Sequence, residues 1–109
     1  MPKLMVFVRR KAGTTPEAFR AHYESTHAPL ALAKMTGLSR YVRNYPQTMP
    51  GQPAPQHDCV TEMWFESQDA LAATMAWMRS EEGKVLAADE ELFMDRSSMT
   101  AILVDELAS

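Results

Sequence analysis

The residues with the most chemical potential lie in one stretch, Phe19-Arg20-Ala21-His22-Tyr23-Glu24-Ser25-Thr26-His27-Ala28-Pro29-Leu30. An imidazole titrates near neutral pH, so either histidine could move a proton as a general acid or base. The two are five residues apart, about 140° around a regular helix. That spacing predicts separate surroundings and disfavours a metal pair on one helical face. His27 falls on the side of Phe19 and Tyr23 and is predicted to face inward, with His22 facing solvent. An inward His27 has two readings. It is either a structural imidazole bonded to a carbonyl that Pro29 leaves free, or a general acid/base. Glu62 is the second candidate, a carboxylate among apolar neighbours in a strand-like run. Burial predicts a raised pKa there, which suits acid/base work. The alternative is an ion pair across a sheet with Arg9, Arg40 or Arg43. Tyr23, Tyr41, Arg43 and Trp64 are the candidates to shape a pocket and hold a substrate, although packing is the plainer role of each aromatic. Cys59 has no base near it in sequence and reads as a small core residue.

Several chemistries have no motif here. There is no glycine-rich phosphate loop, no GxSxG nucleophile elbow and no HExxH helix. An enzyme of this sequence is therefore expected to work without a tightly bound cofactor or a metal. The net charge of −3 and the scattered basic residues argue against a nucleic-acid partner. No run approaches the ~20 apolar residues of a membrane span, and the apolar start is too short for a signal peptide. Cys59 is the only cysteine, so no internal disulfide can form, and a reducing cytoplasm is the expected setting.

The elements that must position these groups follow from local pattern. Residues 3–10 are short, apolar and rich in β-formers, which predicts a strand buried on both faces. Thr15-Pro16-Glu17 opens a helix, with a cap, a first-turn proline and a first-turn acid. Pro29 must kink or restart that helix. Gly37 reads as a helix-terminating glycine. Residues 38–45 form a second strand. Residues 46–56 hold four of the seven prolines and are an exposed loop. Residues 58–66 are a third strand. Ser67 caps a second helix carrying Leu71, Met75 and Met78. Residues 81–94 are more polar and read as a short surface helix, and residues 98–106 are the last strand. The order βαββαβ over one domain, residues 1–109, predicts an α+β, ferredoxin-like antiparallel sheet with helices on one face.

Two helices cover only one face of such a sheet. In the third strand Cys59, Thr61, Met63 and Phe65 share one face, and Val60, Glu62 and Trp64 the other. The first and last strands are apolar on both. An uncovered face of that kind predicts an interface, met by a second copy of the chain. Any space left between the two sheets would then be a ligand pocket. The nine methionines could be ordinary core or the soft wall of an apolar cavity.

The run Arg9-Arg10-Lys11, Thr15 to Arg20, His22-Tyr23 and His27-Ala28-Pro29-Leu30 resembles the EthD domain family. Gly37 to Asn44, Asp58 to Phe65, Ser67 and Ala70-Leu71 are similar to it as well. The resemblance implies a dimeric α+β barrel over nearly the whole chain. It implies kinship with a family named for ethyl tert-butyl ether degradation, with a methylmuconolactone methylisomerase and with fungal polyketide-tailoring dehydratases or decarboxylases. Related barrels include cofactor-free monooxygenases, cyclases and stress-responsive proteins without an assigned activity. It also matches His27 to the histidine of the family's His-x-Pro-Leu motif. The expectation is then a homodimeric, cofactor-independent isomerase, lyase or monooxygenase acting on a small oxygenated or aromatic catabolite. A non-catalytic protein that binds an apolar small molecule, or a structural module without a pocket, are the alternatives.

Overall fold

The computed structural model describes residues 1–109. Four strands form one antiparallel sheet: β1 (Lys3–Val8), β2 (Leu38–Asn44), β3 (Cys59–Phe65) and β4 (Thr100–Val104), in the order β2-β3-β1-β4. The helices are α1 (Pro16–His22), α2 (Ala28–Lys34), α3 (Gln68–Met78) and α4 (Lys84–Phe93). This is the ferredoxin-like α+β arrangement.

The first helix starts where its signals place it. Thr15 accepts from the Ala18 amide at 3.1 Å, and Pro16 occupies the first turn. Ser67 caps α3 in the same way, also at 3.1 Å. Pro29 does not break the chain's first helical rod. A π-helical turn, Tyr23–His27, joins α1 to α2, with the Ala28 amide reaching back five residues to the Tyr23 carbonyl. Pro29 has no amide to give Ser25, and its ring would crowd that carbonyl in a regular helix. One wider turn relieves the clash and keeps the rod continuous, a distortion often found at functional sites.

Two local expectations are corrected. Gly37 is not a left-handed cap, since only Gly13 and Gly51 have positive φ. It is small because a Cβ there would lie 3.0 Å from Thr74 Oγ1 and 3.2 Å from the Ala70 carbonyl, so β2 can enter beside α3. Residues 84–93 are not a surface helix. Leu86 and Phe93 are both 2% exposed and belong to the core.

Register assigns the two sheet faces. Val6 lies opposite Thr61, Leu4 opposite Met63 and Tyr41 opposite Met63, all on the helix side. Met5 pairs with Glu62 and Ile102, Phe7 with Val60, and Val42 with Glu62, on the side no helix covers. The core of Val8, Phe19, Tyr23, Ala31, Phe65 and Phe93 fills the space between the sheet and the helices. No helix is long and apolar enough to cross a membrane.

Candidate functional site

The cavity lies within one chain, between the sheet and its helices, and not between two sheets. It measures about 140 Å³. The expected location is therefore corrected: a second copy is not needed to form it. The helices bridge over the strands' small residues Val6, Val8 and Thr61, the exposed Ala101 also lines the space, and the side chains do not fill all of it. Met35, Met63, Met75, Met78, Met94 and Met99 line the walls, six of the nine methionines. Unbranched thioethers suit an adaptable apolar wall. The polar groups among the lining residues are Tyr23, His27, Tyr41, Thr61 and Glu90.

His27 is 4% exposed, and its Nδ1 lies 2.8 Å from Asp89 Oδ2. The other Asp89 oxygen meets His22 Nε2 at 3.0 Å. A carboxylate only accepts, so both facing ring nitrogens carry protons. In the neutral form of the ring, the unprotonated Nε2 faces Glu90, whose Oε2 is 3.8 Å away. The expectation that the two histidines serve separate surroundings is overturned by the π turn. Residues five apart come onto one face there, so both imidazoles reach a single carboxylate. His22 is only partly exposed and also stacks against Phe93, with ring centres 4.4 Å apart.

Asp89 and Glu90 were not legible as site residues from polarity alone. The signal was their spacing, since 86, 89, 90 and 93 fall on one helical stripe with apolar ends. Burial pushes the Glu90 carboxyl up from its ordinary value, against the opposing pull of His27 and Arg96. Arg96 Nε donates to its Oε1 at 3.1 Å. Behind them a hydroxyl chain runs into the sheet. Tyr41 Oη donates to Tyr23 Oη at 3.3 Å, and Tyr23 Oη is 2.5 Å from Thr61 Oγ1. Burial raises both phenols, Tyr41 to about 12 and Tyr23 well above its ordinary value, so both stay protonated. The Cys59 thiol is fully buried and pushed up to about 11 by that burial, which leaves it a core residue.

The remaining candidates lie elsewhere. Glu62 is on the uncovered face, where it meets Lys3 Nζ at 2.6 Å and Asn44 Nδ2 at 2.8 Å. Its partner is thus none of the three arginines considered. Its pKa is lowered, not raised, because the Lys3 bond favours the charged form more than partial burial opposes it. Trp64 shares that face and donates Nε1 to Glu106 at 2.6 Å. Arg43 points to the helix side but is outside the cavity wall. Glu24 holds it at 2.7 and 3.0 Å, and its guanidinium lies 4.9 Å from the Tyr41 ring centre. The structure therefore brings His27, Tyr23 and Tyr41 together and separates them from Glu62 and Trp64. No group of three or more His, Cys, Asp or Glu side chains is arranged to hold a metal ion.

Comparison with solved structures bears on the fold. An ethyl tert-butyl ether D (EthD) family protein from Bacillus halodurans C-125 is similar, with 24% identity, a TM-score of 0.72, and 98% of this chain and 100% of that one covered. A dimeric ferredoxin-like protein of unknown function from Bacteroides fragilis NCTC 9343 aligns over 96% of this chain and 95% of its own, at 11% identity and a TM-score of 0.63. SnoaB of Streptomyces nogalater, described as a cofactor-independent oxygenase, aligns over 99% and 94%, at 12% identity and a TM-score of 0.65. A search of curated proteins found no match. The family model described as the EthD domain matches residues 11–97, most of the chain and all of the helical wall of the cavity, and the chain belongs to the EthD domain family.

Proposed function

We propose that this protein is a small cofactor-independent enzyme whose chemistry is proton transfer at His27, on an oxygenated or aromatic catabolite held in the methionine-lined cavity. The observation that carries this reading is the Asp89–His27–Glu90 arrangement. A buried imidazole, oriented by one carboxylate, faces at 3.8 Å a second carboxyl whose proton affinity burial raises. That is the geometry of a general base with an acid within reach. Tyr23 and Tyr41 complete the polar wall, and Arg43 acts on the site by holding Tyr41. Glu90 takes the place of Glu62 as the second acid/base. Isomerase, lyase and monooxygenase readings share the first step: the substrate loses a proton to His27 Nε2. The likeness to SnoaB supports a fold able to do such chemistry without a bound cofactor.

The working form is a homodimer. Met5, Phe7, Val42, Val60, Ile102 and Val104 make an apolar field that no helix covers, and Ile102 is 42% exposed in the single chain. The dimeric Bacteroides fragilis neighbour supports that pairing. The single free Cys59 is in keeping with a reducing cytoplasm.

The test is turnover of a panel of oxygenated single-ring compounds, followed by mass spectrometry. His27→Ala is expected to lower turnover at least ~100-fold while the fold persists. Unchanged turnover in that variant removes His27 from the mechanism. A second reading rests on the methionine wall: a carrier that binds an apolar molecule and converts nothing. Retained affinity with no turnover of any compound in the panel favours it.

A further inference from the structure

The cavity's size, charge and hydrogen-bond polarity narrow the ligand further than the family does. We infer that it takes an uncharged, single-ring compound bearing a hydroxyl group, and that the ligand supplies the proton of its hydrogen bond to His27 Nε2. The inference rests on reading this cavity as the functional site, but it does not require turnover.

Size comes first. At about 140 Å³ the space is close to the ~150 Å³ apolar cavity that admits benzene in an engineered protein. A fused polycyclic skeleton does not fit without displacing wall residues.

Charge comes second. No lysine or arginine lines the cavity. The nearby cations are committed: Arg43 to Glu24, and Arg96 to Glu90 and Glu91. Lys3 is on the opposite sheet face, bound to Glu62 and Glu106. A buried carboxylate ligand would have no counter-charge except an imidazolium that Asp89 already claims, and it would stand beside Glu90. Unpaired buried charge of that kind is strongly unfavourable.

Polarity comes third. The Tyr41 hydroxyl proton runs inward to Tyr23 Oη, which in turn meets Thr61 Oγ1. Asp89 fixes the His27 proton on Nδ1. The wall therefore offers lone pairs, on Tyr41 Oη and His27 Nε2. At 3.8 Å, His27 Nε2 and Glu90 Oε2 are too far apart for a direct hydrogen bond. A hydroxyl placed between them can donate its proton to the ring nitrogen. A ketone or ether could not meet the imidazole in this way.

The experiment compares phenol, toluene and benzoate binding by ligand-observed NMR and calorimetry, with the full-length chain in its native oligomeric state. Phenol is expected to bind about five- to tenfold more tightly than toluene, the worth of one hydrogen bond, and benzoate not measurably. Tyr41→Phe and His27→Gln, two changes in separate elements, are each expected to reduce the phenol preference and leave toluene unchanged. Ala101→Phe, which fills the space, is expected to abolish both. Equal binding of toluene and phenol, measurable benzoate binding, no binding of any of the three, or binding that survives Ala101→Phe each overturns the inference. A phenol preference without turnover of any phenol would sink the enzyme reading and leave this one intact. His27-dependent turnover of a carboxylate would do the reverse.

Discussion

The two faces of the sheet carry the same residue types and treat them in opposite ways. Glu90 packs over the helix face, and desolvation pushes its carboxyl up. Glu62 stands on the uncovered face, and Lys3 and Asn44 hold its carboxyl down. Tyrosines follow the first pattern, Tyr41 rising to about 12 beside the cavity. Glu106, from the chain's C-terminal segment, follows the second, bound to Lys3 and Trp64. The difference teaches that a glutamate inside an apolar strand is not thereby an acid/base. What decides is whether the partners that favour the charged form outweigh desolvation: Lys3 and Asn44 do so at Glu62, and Arg96 does not at Glu90. On one face desolvation raises the proton affinity of buried phenols and a carboxyl. The other satisfies its charges within an apolar field, as an interface requires.

The largest expected effect separates the faces by what they stabilise. Phe93→Ala removes a ring packed on Phe19, Tyr23 and His27 and should cost about 3–5 kcal/mol in urea denaturation. Ile102→Asp should leave each chain folded but convert a dimer of twice 12.3 kDa into single chains in sedimentation. If wild-type protein already sediments at 12.3 kDa at high concentration, the uncovered face is not an interface.

Next is catalysis. Glu90→Gln should lower kcat about 100-fold, and Glu62→Gln by less than about threefold. An equal loss in both would erase the distinction between the two carboxyls.

The smallest effect is in the pH dependence of stability, and its sign differs between the faces. Glu62 has a depressed folded pKa, so its contribution is present above the ordinary value of 4.5 and is lost as pH falls through the lower folded value. Glu90 has a raised folded pKa, so its contribution is present below 4.5 and is lost as pH rises through the higher folded value. Denaturation midpoints measured against pH should lose part of their acid-side decline in Glu62→Gln and part of their decline above pH 4.5 in Glu90→Gln. Curves that shift in the same direction in both variants would contradict the assignment.

Much of the architecture was legible before any coordinates. Short β-rich runs, the Thr15-Pro16-Glu17 start and the Ser67 cap act over a few residues, so they can be read from a few residues. The alternation in β3 divides Thr61 and Met63 from Glu62 and Trp64, and the register with β1 places the two pairs on opposite faces. His27 was placed on the inner side from its spacing to Phe19 and Tyr23. Residues 84–93 went unread because Asp89 and Glu90 made the segment look solvated, although Leu86 and Phe93 marked its inner stripe.

By itself, the sequence determined the element order, the uncovered sheet face and an inward His27, because these depend on periodicity and on local backbone preference. Only the tertiary structure decided which side of the sheet holds the cavity and which glutamate faces the imidazole. It also decided that a widened turn before Pro29 brings His22 and His27 to one carboxylate. Those outcomes depend on contacts between residues far apart in the chain, such as His27 with Asp89, 62 positions on, and His22 with Asp89, 67 positions on. No local pattern encodes which distant charge will stand beside a given side chain, and that neighbour sets its proton affinity.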